Sequence, residues 1–225
     1  MNYETWEPVY ERILSDFGYS RAADERARDV LARLVDPVDE SRFAPLTDAT
    51  VAVAGAGPSL DDETDAAAAA DVVVAASAAA RTLRAAGVGV DLMVTDLDKT
   101  PETARDLTHE GVPVAVHAHG DNVPAVERWV PRLDGDHVVP TTQAAPRGPV
   151  VNYGGFTDGD RAAFLADAAG AGTLRFPGWN FDDPTVSAAK RRKLAWAERL
   201  LAWLERRRGE RFAVLNGRRE GIDLL

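Results

Sequence analysis

Residues 90–99 read V-D-L-M-V-T-D-L-D-K, and this stretch decides how the rest of the chain is interpreted. Residues 92–94 have the composition of a short buried strand. Asp96 and Asp98 follow it, and on an extended backbone positions i and i+2 point to the same side. Two carboxylates at the exit of a buried strand favour Mg²⁺, which usually takes one or two carboxylates plus substrate phosphates. The alternative is that Asp96 caps a helix beginning at residues 100–102, with Asp98 solvated.

Outward from this stretch, short apolar segments alternate with helical ones. Strands are predicted at 50–54, 71–76, 92–94, 112–117 and 173–176, with weaker candidates at 138–139 and 150–151 and a last candidate at 212–215. One helix is predicted to follow the second strand and end at residue 84. Others are predicted to begin at residues 101 and 124 and to span 158–169 and 187–208. This alternation predicts an α/β fold with a mostly parallel, Rossmann-like sheet that helices cover on both faces. Ligands bind such sheets at the carboxyl ends of the strands, near the point where strand order reverses.

Residues 1–46 differ in character from the remainder of the chain. Apolar residues recur there at helical spacing, and Gly18 ends the first run. Ser20 is placed to cap a second helix that continues to about Val35. We expect these residues to form a small N-terminal helical cap. Residues 47–225 are expected to form an α/β nucleotide-binding catalytic domain with a long C-terminal helix.

The composition excludes several classes of protein. The 225 residues include no cysteine, which excludes disulfide bonds and Cys-ligated zinc. The first residues, M-N-Y-E-T-W-E, lack the basic region and apolar run of a signal peptide. No apolar segment approaches the roughly 20 residues that a membrane-spanning helix needs. We therefore expect a cytoplasmic protein that does not act at a membrane.

The charge is unusual in kind as well as in sum. The net charge is −10, with 23 Asp against 13 Glu and 23 Arg against 3 Lys. It is also uneven, since residues 190–225 carry +6 and the first 189 residues carry −16. A halophilic composition of this kind, rich in Asp and nearly free of Lys, suits a high-salt interior where screening relieves self-repulsion. The excess of negative charge argues against a general nucleic-acid-binding protein.

A glycine-rich segment, G-A-G-P-S-L at 55–60, follows the first predicted strand. Glycines let backbone N–H groups approach phosphate oxygens, and a following helix N-terminus adds a favourable dipole. The segment departs from a dinucleotide-binding fingerprint, because Leu60 stands where the third glycine belongs and Ser77 follows the next strand in place of an acidic residue. NAD binding is therefore disfavoured. A phosphate loop of another type and a plain tight turn remain as alternatives.

A histidine segment, V-H-A-H-G-D-N at 116–122, follows a later strand. His117, His119 and Asp121 alternate on one side if the strand continues, an arrangement that suits a metal or a polar substrate. A metal-dependent hydrolase is the rival interpretation. The other two histidines lie in no comparable motif, however, and the chain is short for an eight-fold barrel. We favour a polar substrate pocket.

Two later segments add candidates for ligand binding. Residues 154–162 read G-G-F-T-D-G-D-R-A, and the three glycines imply a backbone that lies close to something or has positive φ angles. Asp158 can also be explained as the cap of the following helix. Lys190 and Lys193 share a face of the long C-terminal helix and are, with Lys99, the only lysines of the chain. They predict a phosphate contact, the alternative being a solvated face.

These motifs together resemble the archaeal 6-hydroxymethyl-7,8-dihydropterin diphosphokinase family. The resemblance rests on the order of G-A-G-P-S-L, V-T-D-L-D, V-H-A-H-G-D-N and G-G-F-T-D-G-D-R-A and on the lysine-bearing helix, and it covers roughly residues 50–200. More loosely, the acidic strand end is similar to that of thiamine diphosphokinases. The chain departs from the family pattern in two segments: Ala76-Ser77-Ala78-Ala79 replaces an Ala-Asp-Gly-Ala run, and Lys99 stands where a glycine usually follows the Asp-Leu-Asp.

The resemblance implies a Mg²⁺-dependent enzyme that transfers diphosphate from ATP to the hydroxymethyl group of a reduced pterin and releases AMP. The product belongs to cofactor biosynthesis of the folate or tetrahydromethanopterin type. A homo-oligomer is compatible with this function. The alternative is a catalytically idle nucleotide-binding protein of the same fold, because Ser77 removes a carboxylate from the implied site.

The resemblance also implies roles for individual residues. Asp96 and Asp98 would hold Mg²⁺, and the lysines would add positive charge beside the phosphates. His117, His119 and Asn122 would bind the pterin edge or orient its hydroxyl, and Asp121 joins them in the implied catalytic set. The residues implied for the nucleotide are Gly55, Gly57, Pro58, Ser59, Asn122, Gly154, Gly155, Asp158, Lys190 and Lys193.

Overall fold

The computed structural model describes residues 1–37 and 39–223. At its centre is a six-stranded sheet in which all neighbouring strands are parallel. The strands are β1 (Thr50–Ala54), β2 (Val72–Ala76), β3 (Leu92–Thr95), β4 (Val114–Ala118), β5 (Val138–Thr142) and β6 (Thr173–Arg175). They lie in the order β5-β4-β3-β2-β1-β6. The predicted α/β fold with a parallel, Rossmann-like sheet is confirmed.

Helices connect the strands and precede them. They are α1 (Tyr3–Phe17), α2 (Arg21–Leu31), α3 (Thr64–Ala68), α4 (Ala79–Ala85), α5 (Pro101–His109), α6 (Val123–Trp129), α7 (Asp158–Ala168) and α8 (Ala188–Arg208). Local signals set their ends: Asn2 caps α1 by accepting from the Thr5 N–H at 3.0 Å, and Gly18 ends it with φ 69°. Within the described residues, no helix combines the length and the apolar character needed to cross a membrane.

Three details of the predicted secondary structure are wrong. The helix α2 ends at Leu31 and does not reach Val35. Residues 150–151 make isolated bridges instead of a strand, and residues 213–215 form a 3-10 turn. Phe212, just before that turn, is buried with its ring centroid 4.8 Å from that of Phe176. Short apolar runs of this kind report burial, and burial alone does not separate a strand from a packed turn.

Side chains of the sheet alternate between two hydrophobic cores. Val51 and Val53 of β1 point into one core, and Ala52 and Ala54 point into the other. The first core contains apolar residues of α1, α7 and α8, and the second contains those of α2, α4, α5 and α6. Strands buried on both faces appear as continuous apolar runs, which explains why the sequence identified them.

The N-terminal helices take part in both cores. Trp6 of α1 is fully buried, and its ring centroid lies 6.4 Å from that of Phe164 on α7. Leu31 of α2 is buried in the second core. The division of the chain between residues 46 and 47 stays a prediction.

The strand order places a switch point between β1 and β6. From β1 the chain extends the sheet in one direction as far as β5 and then returns to add β6 on the other side of β1. The segments after β1 and β6 meet there, and the Gly55 N–H donates to the Pro177 carbonyl at 2.9 Å. This edge of the sheet is where a ligand is expected to bind.

Candidate active site

A cavity of about 460 Å³ lies at the carboxyl edge of the sheet. The segments after β1, β3, β4 and β6 line it, together with the first turns of α7 and α8. The predicted site residues that line it are Gly55, Gly57, Asp96, Asp98, His119, Asp121, Asp158, Lys190 and Lys193. The predicted site residues outside the lining are Pro58, Ser59, His117, Asn122, Gly154 and Gly155.

Three aspartates converge on one point of the cavity. One carboxylate oxygen from each of Asp96, Asp98 and Asp158 lies within 4.8 Å of the others. Asp96 and Asp98 approach each other through a turn instead of a continued strand, since Leu97 between them has a φ of 65°. The Leu97 N–H donates to the Thr95 hydroxyl at 3.0 Å and fixes that turn.

The helix-cap explanations do not hold for these aspartates. Asp158 is the first residue of α7, but the capping box of that helix is made by Thr157 and Asp160. The residue at the N-cap of α5 is Thr100, and Asp96 instead lies beside His119. Both carboxylates are therefore available to a ligand.

Burial and mutual repulsion oppose the ionisation of two of the three carboxyl groups. Burial and the neighbouring Asp96 raise the pKa of Asp98 to about 6 and that of Asp158 to about 7. Burial also opposes ionisation of Asp96, but hydrogen bonds with His119 and Asp98 and the charge of Arg161 hold its pKa below the ordinary value. Three crowded carboxylate oxygens are the ligands that a hard divalent cation prefers, so this donor set fits Mg²⁺.

All three lysines of the chain face the same cavity. They are Lys99, after β3, and Lys190 and Lys193 on the first turns of α8. Burial and the nearby charge of Lys99 lower the pKa of Lys190. In a chain that otherwise uses arginine, this gathering places compact cationic groups beside the aspartates. Lys99 was not among the predicted site residues, although the rarity of lysine was a usable signal.

The histidine segment divides between the cavity and the interior. His119 lines the cavity, and its Nε2 lies 3.4 Å from Oδ2 of Asp96. His117 is 2% exposed and its Nδ1 lies 3.1 Å from the Thr141 hydroxyl. Burial and the charge of Arg161 hold the pKa of His117 well below its ordinary value, so the ring is neutral.

The other two predicted site residues of the histidine segment, Asn122 and Asp121, lie in different surroundings. The side chain of Asn122 donates to the backbone carbonyls of Asp96 at 2.9 Å and His117 at 2.7 Å. It therefore joins the ends of β3 and β4 to each other. Asp121 is exposed and forms part of the cavity wall.

The glycines of the first predicted loop allow two loops to pack together. The N–H groups of Gly55 and Gly57 donate to the Pro177 and Gly178 carbonyls at 2.9 and 2.8 Å, and the Ser59 N–H donates to Asn180 Oδ1 at 3.1 Å. A Cβ on Gly55 would lie 2.6 Å from the Gly178 carbonyl oxygen. These backbone donors are engaged within the protein, and their role toward phosphate stays a prediction.

The later glycines show the positive φ angles or close approaches that the sequence predicts. Gly154 and Gly155 have φ angles of 89° and 91°. A Cβ on Gly155 would lie 2.6 Å from the backbone of Arg161, so this glycine lets the loop pack against α7. Arg161 lines the cavity and donates to Asp158 at 3.0 Å. It was part of the quoted motif, but the sequence did not indicate its role.

Aromatic side chains form another part of the wall. They are Tyr19, Phe156, Trp179 and Phe181, and Asn180 lies between the last two. The indole N–H of Trp179 donates to the Val53 carbonyl at 2.8 Å and fixes the ring beside β1. The cavity thus combines charged groups at one set of positions with flat apolar surfaces at another, which is typical of sites that bind a ligand with an aromatic ring and an anionic group.

Comparison with known proteins gives consistent matches. Residues 26–185 match the family described as MptE-like, 6-hydroxymethylpterin diphosphokinase. A protein named 6-hydroxymethyl-7,8-dihydropterin pyrophosphokinase from Methanothermobacter thermautotrophicus is 38% identical over 231 residues, covering 92% of this chain and 96% of that protein. Proteins of the same name are 35% identical in Pyrococcus furiosus, over 91% of this chain and 95% of that protein, and 29% identical in Methanocaldococcus jannaschii, over 80% of each.

Proposed function

This chain belongs to the MptE-like 6-hydroxymethylpterin diphosphokinase family, as its motifs predicted, and we propose that it transfers diphosphate from ATP to 6-hydroxymethyl-7,8-dihydropterin. The members of this family are named as diphosphokinases, that is, pyrophosphokinases. The observation that carries the proposal is that three carboxylates and three lysines line one cavity that also has an aromatic wall. On this proposal the protein works in the cytoplasm, in cofactor biosynthesis of the folate or tetrahydromethanopterin type.

The charged part of the cavity suits the triphosphate of ATP. Lys190 and Lys193 point into it from α8, and Lys99 adds a third positive charge from the end of β3. Asp96, Asp98 and Asp158 would hold Mg²⁺, which would neutralise the negative charge of the phosphates and fix the geometry of the triphosphate. Phosphoryl-type transfer depends mainly on positioning and on charge neutralisation, which side chains of the turn after β3 and of the first turns of α7 and α8 would supply here.

The aromatic part of the cavity suits the pterin. Trp179 and Phe181 lie in the segment after β6, Phe156 lies before α7, and all three line the cavity at the carboxyl edge of the sheet. A pterin is planar, and aromatic faces bind planar rings by offset stacking or edge contacts. On this proposal the pterin binds with its exocyclic hydroxymethyl group toward the charged residues.

The reaction that we propose is an in-line substitution at the β-phosphorus. The pterin hydroxyl oxygen forms a bond to that phosphorus, the bond to the oxygen bridging the α- and β-phosphates breaks, and AMP leaves. The hydroxyl proton is released to solvent, so the products are AMP, the pterin diphosphate and one proton. His119 is the side chain that we assign to orient the hydroxyl, since it lines the cavity and is itself held by Asp96.

The test is a product analysis. Purified protein is incubated with ATP, MgCl₂ and the reduced pterin, and the nucleotides and pterins are separated by chromatography. We expect AMP and the pterin diphosphate in equal amounts. ADP with a pterin monophosphate would contradict the family reaction, because that outcome requires attack at the γ-phosphorus.

The idle nucleotide-binding alternative predicts a different result in the same experiment. It predicts ATP binding with no AMP above the rate without protein. The sequence raised this alternative because Ser77 replaces a family aspartate. Against it, Asp96, Asp98 and Asp158 still form a cluster of three carboxylates that suits a cation without an acidic residue at position 77.

A further inference from the structure

Asp24 lies where α2 meets the cavity, and only 3% of its surface is exposed. Three donors converge on its carboxylate. The Gly120 N–H donates to Oδ1 at 2.7 Å, and the Tyr10 hydroxyl and the Gln143 amide donate to Oδ2 at 2.7 and 2.8 Å. These three donors are neutral, and burying a carboxylate costs free energy even when it is hydrogen-bonded. The position of Asp24 therefore calls for a role beyond packing.

One branch of this network leads to Asp158. A carboxylate oxygen only accepts hydrogen bonds, so Asp24 requires Gln143 to present its NH₂ group and to turn its carbonyl away. That carbonyl accepts from Nη2 of Arg161 at 3.2 Å, and Nη1 of Arg161 donates to Asp158 at 3.0 Å. The orientation of one buried amide thus connects Asp24 with the carboxylate cluster.

The second branch leads to Asp96. Gly120 directly follows His119, whose Nε2 lies 3.4 Å from Oδ2 of Asp96. The approach of this loop to α2 is close, since a Cβ on Gly120 would lie 2.7 Å from the Cβ of Ala23. The bond from the Gly120 N–H to Asp24 fixes the loop at that distance. Two of the three clustered carboxylates are therefore connected to the same side chain, Asp158 through Gln143 and Arg161 and Asp96 through the His119–Gly120 turn.

We propose that Asp24 is a positioning residue for the proposed metal and diphosphate site, acting on Asp158 through Gln143 and Arg161 and on Asp96 through the His119–Gly120 turn. The expected effect of Asp24 on the reaction rate rests on the proposed function. The expected effect on cation binding does not require that the substrate is a pterin. The N-terminal helices, which the sequence predicted only as a small cap, are on this view part of the active-site support.

The test replaces the carboxylate by an amide of the same shape. In Asp24→Asn, keeping the bond from Gly120 puts an NH₂ group opposite Gln143, whose amide must turn over and direct its own NH₂ group at Arg161. We expect the Mn²⁺ dissociation constant, measured by electron paramagnetic resonance, to rise about tenfold and kcat to fall about 10- to 100-fold, the range for residues that orient metal ligands.

A second substitution should restore the network. When Asp24→Asn is combined with Gln143→Glu, the carboxylate introduced at position 143 accepts from both the amide at position 24 and Arg161, and the total charge equals that of the parent. We expect Mn²⁺ affinity and kcat to return to within about threefold of the parent, a coupling that only interacting side chains show. No such recovery is expected if Asp24 serves the fold alone.

Two matched variants separate positioning from stability. Tyr10→Phe removes the one bond to Asp24 that belongs to neither branch, so it should lower the melting temperature and leave Mn²⁺ affinity unchanged. Asp29→Asn makes the same chemical change on α2, at a residue that pairs with Arg28 and Arg147 outside the cavity lining, and should alter neither Mn²⁺ affinity nor kcat.

The outcomes decide between the two proposals. Parent-like Mn²⁺ affinity in folded Asp24→Asn, a double variant no better than the single one, or a parent that binds no Mn²⁺ overturns the positioning role. If Asp24→Asn does not fold, the double variant decides: parent-like affinity supports the role, and an unfolded double variant overturns it. If the parent makes no pterin diphosphate but binds Mn²⁺, and Asp24→Asn loses that binding, the positioning role is kept and the proposed reaction is removed.

Discussion

At the scale of single residues, Leu97 determines how the acidic cluster is built. A leucine in the left-handed region costs of order 1–3 kcal/mol and persists where the surroundings fix it. Its side chain is 2% exposed and packs in the second core, and its N–H is bonded to Thr95. The buried side chain holds the turn, and the turn directs Asp96 and Asp98 toward Asp158.

The first prediction concerns this cluster. Asp96→Asn, Asp98→Asn and Asp158→Asn each replace an anionic oxygen by a neutral amide, so each should weaken Mg²⁺ binding. We expect the rate of AMP formation at saturating Mg²⁺ to fall at least about 100-fold in each variant. Replacing residues that merely orient metal ligands already costs up to about 100-fold in activity.

A control and a stability measurement accompany that prediction. Asp62→Asn makes the same change at an exposed position outside the cavity lining and should keep the parent rate. Asp98→Asn and Asp158→Asn should fold normally, because burial and Asp96 oppose the charge of both carboxylates and its removal relieves repulsion. Asp96→Asn should lower the melting temperature, because His119 and Arg161 stabilise the charge that it removes. Activity within a few-fold of the parent in Asp158→Asn would remove α7 from the metal site.

The cluster also shows which part of a site can be predicted from local sequence. Asp96 and Asp98 were recognisable as a pair because they are two residues apart at a strand exit. The reason given, alternation on an extended backbone, was not the one found, since a turn at Leu97 brings the two carboxylates together. Asp158 joins them only through the packing of α7 against the sheet, a long-range contact that no local spacing contains.

At the scale of elements, the contact between the loops after β1 and β6 shapes the cavity. The second prediction tests it through Gly55→Ala, whose Cβ would lie 2.6 Å from the Gly178 carbonyl oxygen. Because backbone atoms cannot move aside cheaply, we expect the free energy of unfolding, measured with urea in the absence of ligand, to fall by about 1–3 kcal/mol.

The matched control for that loop is Gly89→Ala. Its Cβ would have no neighbour within 4 Å and its φ is not positive, so its stability should stay close to that of the parent. A Gly55→Ala variant with parent stability and weakened ATP binding would instead favour the phosphate loop that the sequence suggested. That result would also mean that the loop reopens its backbone donors when ATP binds.

The third prediction concerns the segment after α8. Glu205 near the end of α8 accepts two bonds from Arg219, at 2.8 and 2.6 Å, and one from the Phe212 N–H. These bonds tie the C-terminal turns to the helix. We expect Glu205→Gln to lower the free energy of unfolding at pH 7 by about 2 kcal/mol, the value typical of hydrogen bonds to a charged group.

The pH dependence of that effect follows from the pKa of Glu205. The hydrogen bonds from Arg219 hold it below the ordinary 4.5, although burial opposes this. A lowered pKa in the folded state means that the stabilisation is complete above about pH 4.5 and is lost as the pH falls through the lower value. The stability difference between parent and variant should therefore shrink as the pH falls below 4.5. Glu220→Gln, at an exposed position in the same segment, should differ little from the parent at pH 7 or in acid.

The elements differ in how well the sequence defined them. The central strands are apolar on both faces, and β1 was predicted with the bounds that it has. The sequence did not distinguish a last strand from the packed turn at residues 213–215, because both bury apolar side chains. Burial of that turn comes from Phe176 and α8, which the local sequence does not contain.

At the scale of the whole molecule, basic residues of the C-terminal part lie beside acidic residues of the remainder. Arg208 of α8 pairs with Asp167 of α7 at 2.7 Å, and Lys190 and Lys193 face the aspartate cluster. The +6 of residues 190–225 is thus partly neutralised inside the fold. The −16 of the first 189 residues exceeds it, and that excess remains as mutual repulsion between surface carboxylates.

The fourth prediction is that salt stabilises the protein by screening this repulsion. The Debye length falls from about 10 Å at 0.1 M to about 3 Å at 1 M, so neighbouring surface carboxylates interact far less in molar KCl. We expect the melting temperature at pH 7 to rise steadily with KCl over this range. The rise should be smaller near pH 4.9, the isoelectric point, because the net charge to be screened disappears there. A melting temperature that is flat or falls with KCl at pH 7 would show that the acidic surface is not adapted to high salt.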